Sequence, residues 1–89
     1  SFDQLRDRIA NTEAFIAGIL EDRFDGAQAR QITLKFKEYQ TTLDAVDYLF
    51  KFALPNFYFH VTTTHDILRA QGVDVGKKDY LGPYEMEKI

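Results

Sequence analysis

Two side chains in one stretch have the types and spacing to do chemistry. Asn56 and His60 stand four residues apart in Phe50-Lys51-Phe52-Ala53-Leu54-Pro55-Asn56-Phe57-Tyr58-Phe59-His60, and on a helix that spacing puts both on one face, with Thr63, Thr64 and Ile67 continuing the stripe. His60 could be a metal ligand or a general base. One histidine with one asparagine lacks the third strong ligand of a catalytic zinc site, and an amide is a weak donor to a transition metal. Two readings stay open. In one, His60 is a core histidine whose nitrogens are satisfied by Asn56, a threonine hydroxyl or water. In the other it is a ligand or base whose partners lie on helices outside this chain. His65 does not join it: five residues turn a helix by about 140° beyond a full turn, which groups His65 with Tyr58, Thr62 and Arg69 and predicts a place on the polar surface.

Other chemistry is missing from the sequence. There is no G-x-S-x-G, P-loop, dinucleotide fingerprint, H-E-x-x-H or paired-carboxylate arrangement. Asp44 and Asp47 read as helix-start charges, Asp66 as a surface charge, and Thr62-Thr63-Thr64 as hydroxyls that bond back to their own helix.

The elements that must position Asn56 and His60 follow from periodicity. Residues Phe2 to about Glu21 carry Leu5, Ile9, Thr12, Ile16, Ile19 and Leu20 on one stripe, an amphipathic helix with Ser1 as N-cap, ending near Arg23. Phe24-Asp25-Gly26 supplies a turn. Strict alternation over Gln31–Phe36, with Ile32, Leu34 and Phe36 on one face, predicts a strand. Lys37-Glu38-Tyr39-Gln40 then turns it into a second strand through Thr41-Thr42-Leu43. A second long helix starts at Thr42 or Asp44, bends at Pro55, and runs to Gln71 with Gly72 as its cap. Residues 73–89, with Gly76, Gly82 and Pro83, are expected to be an extended, turning tail onto which Tyr80, Leu81 and Tyr84 could fold back.

Composition bounds the rest. Eighty-nine residues are one domain at most, yet eight Phe and five Tyr need more covering surface than the chain offers. In Phe50–His60 the apolar residues point nearly all round the helix, which implies burial between several elements, with Asn56 and His60 in the most buried part. A partner chain or a missing half is expected. A net charge of −3 with interleaved signs gives no basic stripe, so nucleic acid is not the partner. No apolar run approaches the roughly 20 residues of a membrane span. The absence of cysteine and of a signal peptide at Ser1-Phe2-Asp3-Gln4 leads to the expectation of a cytoplasmic, soluble protein. A chain opening into a helix without an initiator Met suggests processing, truncation or an internal piece.

The run Phe52-Ala53-Leu54-Pro55-Asn56-Phe57-Tyr58-Phe59-His60-Val61-Thr62-Thr63, then Ile67-Leu68-Arg69 and Gly72-Val73-Asp74-Val75-Gly76-Lys77-Lys78-Asp79-Tyr80-Leu81-Gly82, resembles the C-terminal part of the family called domain of unknown function 1993. The earlier helix, turn and strand match it in order and spacing. The resemblance covers nearly the whole chain but about half of the family's length. It implies a mainly α fold: residues 1–89 as a single partial domain, half of a DinB/YfiT-like four-helix bundle, with two long helices and a short β-hairpin between them. It also implies a companion N-terminal half, or a second copy in a homo-oligomer, that completes the bundle. Members of that superfamily often hold a divalent metal, Zn or Ni, through three histidines, one on a helix of the first half and two in an H-x-x-x-H pair. Alignment on Leu68-Arg69 and Gly72 puts His60 second in that pair and Asn56 first, so the chain reads N-x-x-x-H, a degenerate site that either holds a divalent metal or stands vacant. The two functions implied are a binding or assembly module without catalysis, and a metal-dependent enzyme of small-molecule or thiol transfer using His60. The second rests on fold analogy.

Overall fold

A computed structural model describes all residues, Ser1–Ile89, and their contacts cluster into two units, Ser1–Ala45 and Val46–Ile89. The first unit opens with helix α1, Phe2–Ala17. Ser1 caps it as expected: its Oγ accepts from the Gln4 N–H at 3.3 Å, and the Gln4 Oε1 accepts from the Ser1 amine at 2.9 Å. The helix is shorter than its apolar stripe. Gly18 is poor in a helix interior, the last turn tightens with an Ile19 N–H to Ile16 C=O bond of 3.1 Å, and Leu20 is already extended. Two single 3-10 turns, Glu21–Phe24 and Ala27–Ala29, carry the chain round, with Gly26 between them at a φ of 71°.

Strands β1, Gln31–Phe36, and β2, Tyr39–Asp44, form an antiparallel hairpin. The second strand is longer than Thr41–Leu43, and the turn correspondingly tighter, because Phe36 pairs with Tyr39 and leaves Lys37-Glu38 as a two-residue loop. Lys37 takes a φ of 50°, the positive value that tight hairpin loops demand of their first central residue and that glycine or asparagine usually supplies. Ile32, Leu34 and Leu43 are the half-shielded residues of the pair. On the opposite face the Thr33 and Thr42 hydroxyls meet at 2.9 Å.

The second unit is built on one long helix. Here α2 denotes the unbroken succession Ala45–Asp47, a π-helical stretch Tyr48–Ala53, and Leu54–Ala70. It starts just after Asp44 and passes through Pro55 without interruption. Proline has no N–H to donate and its ring clashes with the preceding turn. The ladder upstream is correspondingly widened: the Leu54 N–H reaches back five residues to the Leu49 carbonyl, the i→i+5 pattern of a π turn. The Asp47–Lys51 ion pair at 3.1 Å and the Tyr48 and Phe52 rings, 5.5 Å apart, lie along that stretch.

At its C-terminus α2 closes in a Schellman motif. Val73 N–H donates to Leu68 C=O at 3.0 Å and Gly72 N–H to Arg69 C=O at 3.1 Å, with Gly72 in the left-handed region at 93°. A Cβ there meets no atom within 4 Å, so the penalty for a side chain is backbone strain and not a clash. Gly72→Ala is expected to cost about 1–2 kcal/mol, read as a lower urea midpoint of the native protein at unchanged slope.

The tail corrects the expectation of an extended 73–89. Lys77–Leu81 is a short helix, α3, begun by Gly76, whose N–H donates to the Asp79 carboxylate at 2.7 Å, and ended by Gly82 at a φ of 82°. Five residues between glycines are too few to show a helical period. Beyond Gly82 no regular structure follows.

Throughout the chain no side chain is fully buried. No helix is long and apolar enough to cross a membrane.

Candidate functional site

Asn56 and His60 both lie on α2 and line one groove of about 790 Å³ in the second unit, together with Tyr48, Phe52, Ala53, Phe57, Val61, Thr64, His65, Leu68, Asp79 and Tyr80. The π stretch and the regular helix after it present the groove's floor, and α3 contributes the last two residues. Asn56 and His60 are thus on the shared face that their four-residue spacing predicts. Their depth is not as predicted. Both are exposed.

The His60 ring stands edge-on to Phe59, with centroids 5.4 Å apart and planes at 85°. Its backbone carbonyl accepts from the Thr64 hydroxyl at 2.8 Å, the back-bond expected of one member of the threonine run. No hydrogen bond joins the Asn56 side chain to the His60 imidazole, whose ring contact is with Phe59.

His65 is a second correction. Expected on the polar surface, it is half-shielded under the Tyr80 ring, whose centroid lies 5.6 Å away at 77°. Tyr80 also bonds Thr62 through its hydroxyl, at 3.1 Å. Both contacts depend on a residue fifteen or more positions downstream, which helical periodicity on α2 cannot reveal. Of the three tail residues expected to fold back, Tyr80 does so, while Leu81 and Tyr84 stay exposed.

The donor set for a metal is small. No group of three or more His, Asp or Glu side chains comes together anywhere in the chain. One imidazole beside a neutral amide does not by itself fit a bound Zn or Ni ion.

The model of a family described as a domain of unknown function, DUF1993, matches residues 1–81. The chain belongs to this family. A solved relative in fold is the crystal structure of a DinB family member protein from Shewanella denitrificans, 37% identical, with a TM-score of 0.75. The match covers 100% of this DUF1993 chain and 49% of that protein, so the chain spans about half of its neighbour's length. No curated protein matches it. A mainly helical DinB-like architecture with one antiparallel hairpin is therefore the fold of this DUF1993 chain.

Proposed function

We propose that this chain is a non-catalytic assembly module, half of a four-helix bundle, whose apolar helix faces are covered by a companion helical segment. The observation that carries this reading is the absence of any buried side chain. A companion segment is favoured over a second copy because the DinB neighbour has about as much chain again beyond the matched part. In this reading Asn56 and His60 are what remains of a metal site.

The mass of the native protein tests it. A species holding this chain with a helical partner of comparable length supports the module. A stable monomer of 10.3 kDa with a cooperative thermal transition rejects it.

One observation favours a second reading. His60 is exposed and faces a groove, as a ligand or base awaiting partners would be. There the companion supplies the other ligands, and the assembled site performs small-molecule or thiol transfer with a divalent metal.

A further inference from the structure

Between Pro55 and Ala70 one residue of α2 is shielded, and it is His65. Its cover is Tyr80 of α3, which lies edge-to-face against the imidazole and hydrogen-bonds Thr62 at 3.1 Å. Thr62 and His65 are three apart and so neighbours on one turn, and the phenol spans that turn from one to the other. Tyr80 is also the one large side chain of α3 that is shielded. Leu81 is 48% exposed, and Lys77, Lys78 and Asp79 are exposed too. The linker back to α2 runs from Gly72, in the left-handed region, to Gly76, in extended backbone, with no regular structure between them.

We propose that α3 is a latch: Tyr80 docks it on the Thr62–His65 turn, the 72–76 linker is its hinge, and its docked position supplies one wall of the groove that holds His60. The groove is lined from α3 by Asp79 and Tyr80 alone, so undocking removes that wall and opens the groove from one side. A five-residue helix has no stability of its own in water. Release of Tyr80 therefore melts α3, and the amides of Asp79, Tyr80 and Gly82, which donate to Gly76 and Lys78 carbonyls, lose protection together. The docking contacts of Tyr80 are with Thr62 and His65 of this same chain, so the exchange test of docking stands whether or not the assembly reading does.

Hydrogen exchange followed by NMR on the native protein tests it. Tyr80→Phe and Thr62→Val each remove one side of the hydroxyl pair. Each is expected to speed exchange of the 79, 80 and 82 amides about two- to tenfold, the range for one lost hydrogen bond, and the double variant should be no faster than either single one. Tyr80→Ala should exceed tenfold and shift the His60 ring resonances, with the amides of Ile67 to Gln71 unchanged. Tyr84→Ala, at an exposed ring, should change neither. Unaltered 79–82 exchange in Tyr80→Ala overturns the latch. So does faster exchange spread evenly along α2, which would make Tyr80 a general stability residue. If the His60 resonances stay in place while α3 melts, the groove-wall role is overturned.

Discussion

If the chain is the assembly module proposed above, Phe57→Asp is expected to weaken its contact with a covering helical segment by more than about a thousandfold. Phe57 is 59% exposed here and shares a helix face with Val61, four residues on, at the centre of the most apolar arc of α2. Covering a phenylalanine contributes about 1.5–3 kcal/mol, which the substitution loses. Placing an unpaired carboxylate in the same apolar contact adds a desolvation cost of several kcal/mol. Together these exceed about 4 kcal/mol, the equivalent of three decades in a dissociation constant. Phe57→Leu keeps an apolar group and should cost under about 1.5 kcal/mol. Sedimentation of the native protein and its two variants reads the difference. A Phe57→Asp protein with unchanged mass and unchanged thermal midpoint would mean that this face is solvent-exposed in the native state, and the assembly module would be lost as an explanation.

The same uncovered face explains which features were legible in the sequence. Local chemistry was: Ser1 capping α1, the alternation of Ile32, Leu34 and Phe36, and Gly72 closing α2 each depend on residues within a few positions. The features that were not legible depend on the backbone's response or on distant residues. Pro55 signals an irregular helix, but the choice of a π stretch over Tyr48–Ala53 rests on how the ladder before it relaxes. The stripe on α1 continues into Ile19 and Leu20, while the helix ends because Gly18 interrupts it. Tyr80 over His65 pairs two residues fifteen positions apart, and nothing in either local pattern shows it. Asn56 and His60, expected to be buried, are exposed here: an apolar sequence states that a helix favours cover, and not which residues supply it.

The second large effect concerns Asn56 and His60. Asn56→His should place two imidazoles four apart on one helical face, the spacing that lets a helix present a metal with a pair of ligands. With a further ligand from the companion segment, the variant should bind one divalent ion per chain. It should gain about 2.7 kcal/mol when free metal is a hundred times its dissociation constant, seen as a higher thermal midpoint with Zn or Ni than with chelator. Ligating imidazoles must be neutral, so the gain should fade on acidification. Adding His60→Ala to the variant should erase it, which distinguishes a pair at 56 and 60 from binding elsewhere. In the unsubstituted protein, His60→Ala should change neither metal content nor midpoint, because one imidazole and an amide are too few donors to retain an ion. Stoichiometric metal in the unsubstituted protein, lost on His60→Ala, would reverse the order of the two functional readings. His60 would then be a working ligand, and Asn56 a neutral neighbour in an active centre completed by the companion.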